Sequence, residues 1–239
     1  MTSIKSCTGA TPLKTKQRIL VVSLALFNEL GEPNVTTVDI SNEMDISPGN
    51  LYYHYRNKDE IVDHIFQTFD AELLAILNTQ NELTDLVEYW LFLRLIIEKN
   101  WHNRFIFRDM NNILGKYKPL HRKVIRITNH LEKTLVQLIH HLVHTSQALA
   151  VSELISGNMV QSLINWPYFQ YLREHQNRER PLAQFSSFSL GNAEPDTLDD
   201  NTKGMADLIS QSCYQVFVHL MPYLNDEQKT IIEELALGY

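Results

Sequence analysis

The chain has 239 residues, 44% hydrophobic and 10% aromatic, which excludes a disordered polymer and suffices for one large domain or two small ones. No apolar window is long enough to span a bilayer, and no basic-then-apolar leader opens the chain. A net charge of −7 excludes a general polycation, and the two distant cysteines, Cys7 and Cys213, fit a reducing cytoplasm with no disulfide framework.

Residues 1–13 have the composition of a flexible arm, polar with one glycine and one proline. From 14 to 30 the pattern is helical. Ile19, Leu20, Leu24, Phe27 and Leu30 recur at three- and four-residue steps, and Gly31 stands where a C-cap glycine belongs. "TTVD" (36–39) matches a capping box and predicts a short helix to about Met44. "DIS" is then a turn. Ser47 is a good N-cap and Pro48 a good first helical residue, so "SPGNLYYHY" starts a helix that ends near Tyr55. Asn57 with Glu60 is a further capping start, and a long helix follows with Ile61, Ile65, Phe66, Phe69, Leu73 and Leu77 on one stripe. Helices are expected near 82–99, 101–114, 119–144, 147–172, 202–221 and 225–237, with a long polar loop at 173–201. No period-two run suggests a sheet, so the fold class is all-α.

Charge is distributed unevenly. The segment 47–58 contains two basic residues, one histidine and no acid. The segment 99–126 contains eight basic residues against Asp109 alone, while from 127 onward thirteen acids face six basic residues.

Two short helices joined by a tight turn form a helix-turn-helix pattern, whose second helix enters the DNA major groove. In that second helix Leu51 and Tyr55, spaced i, i+4, face the core, which leaves Asn50, Tyr52, Tyr53 and His54 facing outward. Gly49 lets the backbone approach DNA. Asn50 suits base edges, the tyrosines suit phosphates or thymine methyls, and Thr37 and Lys58 suit phosphates. The bland alternative, aromatic core filling, is the weaker reading because consecutive tyrosines cannot all point inward on one helix.

The segment "VTTVDISNEMDISPGNLYYHYRNKDEIV" (35–62) resembles the DNA-binding domain of the TetR family of bacterial transcriptional regulators. Thr36–Thr37, "LYYHY" at 51–55 and "NKDEI" at 57–61 carry the resemblance. It implies a helix-turn-helix domain at 14–66 and a larger helical ligand-binding and dimerisation domain at 67–239. It also implies a homodimer through C-terminal helices on a palindromic operator. Family DNA contacts carry over to Thr37, Ser47, Gly49, Asn50, Tyr52, Tyr53, His54 and Lys58. Asp45 and Val38 depart from the pattern, where relatives carry glycine and, in some, a base-reading arginine.

The second half has two aromatic clusters. Trp90, Trp101, Phe105, Trp166 and Phe169 are candidate ligand-binding residues, with Arg104 and Arg108 one turn apart as candidates for an apolar or amphipathic anionic ligand. Ordinary bundle core and solvated charge are the competing readings. His140 and His144 have metal-ligand spacing, but no HExxH or cysteine accompanies them, so neither metal nor cofactor is expected. No GxSxG, GxGxxG or GxxxxGK[ST] motif occurs, which argues against an enzyme, although a helical enzyme with an unmarked site stays open. The expected function is a cytoplasmic repressor released by a small effector. The alternative is a dimeric DNA-binding regulator that needs no ligand.

Overall fold

The computed structural model describes residues 14–143, 145–176 and 195–237. Among them there is no strand. The chain divides into two compact units, one through Phe66 and one from Gln67.

In the first unit α1 (Thr15–Leu30) ends at Gly31, whose φ of 87° only glycine adopts easily, and the Gly31 N–H closes on the Phe27 carbonyl. A 3₁₀ turn (Glu32–Asn34) leads to α2 (Thr37–Glu43). The capping box at its start is complete. Thr36 Oγ1 accepts from the Asp39 N–H at 3.2 Å, and Asp39 Oδ2 accepts from the Thr36 N–H at 2.8 Å and its hydroxyl at 2.7 Å. Those bonds hold the Asp39 carboxyl below its ordinary pKa. The turn out of α2 places Asp45 at φ 53°, with its N–H on Asn42 O and the Ile46 N–H on Ser41 O. Ser47 then caps α3 (Pro48–His54) by accepting the Asn50 N–H at 3.2 Å. The last element to start in this unit is α4 (Lys58–Leu77), entered through Asn57 Oδ1, which accepts the Glu60 N–H at 2.8 Å. Ile19, Phe27, Ile40, Leu51, Tyr55 and Ile61 are all buried, so each helix contributes to one core.

The second unit begins within α4 and comprises α5 (Leu86–His102), α6 (Arg104–Arg108), α7 (Met110–Lys116), α8 (Lys118–Leu142), α9 (Ser146–Ala150), α10 (Ser152–Gln176), α11 (Pro195–Phe217) and α12 (Asp226–Leu237). The amphipathic α8 turns Leu131, Leu135 and Leu138 inward, and its main partner is α10. Helix α11 packs on α5 and α12, and Trp90 of α5 stacks on Phe217 of α11 with ring centroids 5.7 Å apart.

Three expectations change. The helix foreseen at 101–114 is two short ones. Asn103 leaves helical geometry and donates its side-chain amide to the Lys99 carbonyl at 3.0 Å, and Asp109 (φ −132°, ψ 45°) makes a second break. The helix foreseen at 147–172 breaks at Val151, where Ser152 Oγ donates back to the Leu149 carbonyl. Of the loop expected at 173–201, residues 173–176 belong to α10, which runs to Gln176, and 195–201 to α11, which starts at Pro195, a residue suited to a first helical position; residues 177–194 lie outside the described residues. The arm at 1–13 and His144 lie outside the described residues.

Candidate nucleic-acid interface and sensor cavity

The outward side of α3 forms as its spacing dictates. Leu51 and Tyr55 are sealed at 0% and 1% exposure, whereas Tyr53 is 84% and Tyr52 49% exposed. Tyr55 is anchored from within, its hydroxyl donating to Lys16 O at 3.3 Å and its ring meeting His64 edge-on. The Tyr52 hydroxyl and Thr37 Oγ1 are hydrogen-bonded at 2.9 Å, so the exposed edge of α2 is tied to the exposed edge of α3. Ser47, Gly49 and Asn50 are exposed, and His54 is half-buried with its ring edge-on to Tyr53. A Cβ added at Gly49 would meet only Ser47 Oγ, at 3.9 Å. Nothing inside the protein therefore requires glycine there.

Lys58 has a different environment from its neighbours. Its Nζ donates to the Glu32 and Val35 carbonyls, both at 2.8 Å, and lies 2.9 Å from Glu32 Oε1. An ammonium has three N–H donors, and here three acceptors take them. A phosphate contact by Lys58 requires the loss of one. Two exposed residues were missing from the sequence-derived set. Val38 is 48% exposed on α2 beside Thr37, and Arg56 is exposed just after α3. The acid-free run 47–58 already contained Arg56. Val38 carried no positive signal, only the absence of an arginine.

In the second unit the predicted ligand residues occupy several places. Trp90 is in the α5–α11 stack, and Phe105 is 1% exposed. Trp101 and Trp166 pack together with centroids 5.2 Å apart, and the Arg104 guanidinium sits 4.8 Å over Trp101. Arg108 lies 4.7 Å over Tyr171, and Phe169 is half exposed under Arg173. A cavity of about 30 Å³ lies elsewhere in this unit, and none of those seven residues lines it. Its wall includes Phe69 and Leu73 of α4, Ile96 and Asn100 of α5, Phe107 of α6 and Met110 of α7, with Thr128 among the residues from α8. Helix α4 is braced beside it by Lys99–Glu72 at 2.8 Å and by Arg126 Nη2, 2.8 Å from both Asp70 oxygens.

The family description "Bacterial regulatory proteins, tetR family" matches residues 19–65, and "Bacterial transcriptional repressor" matches 68–231. The chain belongs to the TetR family of bacterial transcriptional regulators. A TetR-family transcriptional regulator from Marinobacter aquaeolei VT8 has 26% identity and a TM-score of 0.71, over 93% of this chain and 99% of that one. The biofilm operon icaADBC HTH-type negative transcriptional regulator IcaR of Staphylococcus epidermidis is 40% identical over 63 residues, 25% of this chain. That match spans 34% of IcaR, about a third of its length. The nucleoid occlusion factor SlmA of Idiomarina loihiensis is 21% identical over 177 residues, 72% of this chain and 90% of SlmA. As a TetR-family member the chain is a DNA-binding transcriptional regulator of the repressor type and not an enzyme. No helix among the described residues is long and apolar enough to cross a membrane.

Proposed function

We propose that the chain is a cytoplasmic, homodimeric repressor that binds a palindromic operator and is released by a small effector. The exposed Tyr52–Tyr53 pair, tied to Thr37 across the turn, carries this reading. Large aromatic side chains left in water on an acid-free segment have a use if they pack on sugar, phosphate and thymine methyls. Asn50 and His54 reach base edges, Thr37 and Ser47 hold phosphates, and Gly49 admits the backbone close to DNA. Val38 meets thymine methyl groups, and Arg56 contributes the cation that Lys58 withholds.

Dimerisation uses the outer face of α10. Ile155, Val160, Ile209, Val216 and Leu220 are buried in the subunit's own core. Leu154, Tyr168, Phe169 and Leu172 of α10 remain exposed, with Asn158, Gln161 and Asn165 on the same face between them. Such a dimer must present its two copies of α3 about one DNA turn apart, roughly 34–36 Å, and its two-fold symmetry makes the operator an inverted repeat.

The effector acts through α4. This helix is continuous from Lys58 to Leu77, and its Phe69 and Leu73 form part of the cavity wall. A ligand that favours one position of those side chains biases α4, and with it the spacing of the two α3 helices. Enrichment of a random DNA pool, with light scattering of the free protein, tests the reading. The expected outcome is one inverted repeat bound by a dimer. A monomer at micromolar concentration, or no enrichment, overturns it.

A further inference from the structure

Asn100 sits on α5 with 3% of its surface exposed. Its Nδ2 donates to the Leu163 carbonyl of α10 at 3.1 Å. A carbonyl can only accept, so this bond fixes which way the amide faces. Nδ2 belongs to Leu163, and Oδ1 is left as an acceptor. Oδ1 is fully buried and has no protein partner. Asn100 also lines the cavity, whose other walls are aliphatic, aromatic or methionine apart from Thr128. The cavity wall thus includes a residue with a fixed, unpartnered buried acceptor in a largely apolar setting, which is how a binding site specifies a donor.

We propose that this cavity is the closed form of the effector site, and that the effector is a neutral, largely apolar molecule donating one hydroxyl to Asn100 Oδ1. This rests on the sensor reading above and names its ligand class. An anionic effector does not fit. No lysine, arginine or histidine lines the cavity. Of the cations on the adjoining helices, Lys99 is paired with Glu72 and Arg126 with Asp70. A carboxylate would lose its hydration and face an acceptor. A volume of about 30 Å³ admits little more than a water or two, so the effector must widen the site. The wall best able to give is Phe107 and Met110, which flank the break at Asp109. Methionine, unbranched with three rotatable bonds, adapts to a new neighbour at little cost.

Three probes of one shape separate the possibilities: 4-propylphenol, its methyl ether and 4-propylbenzoate. Each is titrated into the full-length protein at neutral pH by calorimetry. The phenol is expected to bind about tenfold tighter than the ether, which offers Oδ1 no donor, and the benzoate least of all. Asn100→Leu should reduce the phenol to the affinity of the ether. The wild-type ranking decides the matter even if that variant folds poorly. Val124→Phe, which fills the cavity from α8, should abolish all binding. Equal binding of phenol and ether, lost in Val124→Phe, overturns the hydroxyl inference and leaves the sensor cavity standing. A phenol preference that survives Asn100→Leu, or a benzoate that binds tightest, overturns it as well. No binding of any probe up to its solubility limit overturns both the inference and the cavity's role as a sensor.

Discussion

Replacing Lys58 with methionine separates two jobs that one lysine could perform. The side chain is 18% exposed, and its ammonium is held by the Glu32 and Val35 carbonyls at 2.8 Å and by the Glu32 carboxylate at 2.9 Å. The Glu32 side chain is 1% exposed. Methionine keeps the length and apolar stem of lysine but leaves a buried carboxylate without this counter-charge. Breaking one partner of a buried ion pair costs about 3–5 kcal/mol, and the partial exposure of Lys58 argues for the lower end, about 3 kcal/mol. A unit of some 60–100 residues shifts by about 4–8 °C per kcal/mol, so its melting should fall by about 12 °C or more. Glu32→Gln combined with Lys58→Met should recover most of this loss, because the stranded charge is gone. The assay is circular dichroism melting of both variants, with operator affinity measured across a range of salt. A phosphate contact contributes about 0.9 to the slope of log K against log salt. The expected slope is unchanged. A normally stable Lys58→Met protein whose slope falls by about one would refute the clamp and make Lys58 a phosphate ligand.

Gly49→Ala should fold at least as well as the parent, because the added methyl meets only Ser47 Oγ and alanine favours helix by up to about 1 kcal/mol. It should nonetheless weaken operator binding, and undiminished affinity in a gel shift would remove Gly49 from the interface. Phe169→Glu should yield monomers by light scattering, while Leu91→Glu, on an equally exposed strip of α5 with Val87 and Leu95, should leave the dimer intact; the reverse pattern would move the interface to α5. Burial pushes the Cys213 thiol up to about 12, so it should resist a maleimide in the folded protein at pH 8 and react only on unfolding. Prompt labelling would mean that the α11 core opens. The Asp39 carboxyl is held below its ordinary pKa by Thr36, so the stability it adds is fully present above the ordinary carboxylate range. It is lost as pH falls through the depressed value, and Asp39→Asn should flatten the acid limb of the stability curve at its low-pH end.

Local chemistry explains how much of this fold can be read from residues alone. The starts of α2, α3 and α4 rest on Thr36 with Asp39, Ser47 with Pro48, and Asn57 with Glu60, partners no more than three residues apart. The inward and outward sides of α3 follow from helical spacing, and Tyr53 at 84% exposure against Leu51 at 0% shows it. The Lys58 clamp is not local. Its acceptors lie 23 and 26 residues upstream, and a lysine at a helix start after an acid-free run looks the same whether phosphate or Glu32 receives it. The cavity is likewise a property of tertiary packing. Five helices from α4 to α8 and Ile164 of α10 converge on it, and no pattern within one segment distinguishes its wall from the rest of the core. Aromatic content drew attention to Trp90, Trp101 and Trp166. Those large rings fill space well, and the void lies beside smaller and more adaptable residues.

The two units differ in how firmly their parts are fixed, and that difference gives the proposed mechanism its direction. Helices α2 and α3 begin on side-chain caps, and the Thr37–Tyr52 bond joins their outer edges. In contrast, α6 and α7 are five and seven residues long, and neither begins on a side-chain cap. Short uncapped helices repack at low cost because little cooperative structure is lost. An effector that widens the cavity therefore spends its binding energy on α6, α7 and the α4 side chains Phe69 and Leu73, leaving the reading head folded. The coupling cannot exceed the difference in effector affinity between the closed and widened forms. By linkage, operator DNA weakens effector binding by the factor with which effector weakens DNA binding. A hundredfold loss of operator affinity thus demands about 2.7 kcal/mol of preference for the widened form. One hydroxyl on Asn100, at the expected tenfold, contributes about 1.4 kcal/mol of hydrogen bonding. Apolar contact with Phe107, Met110 and Leu73 must supply the rest, which is why the effector has to be largely apolar as well as a donor.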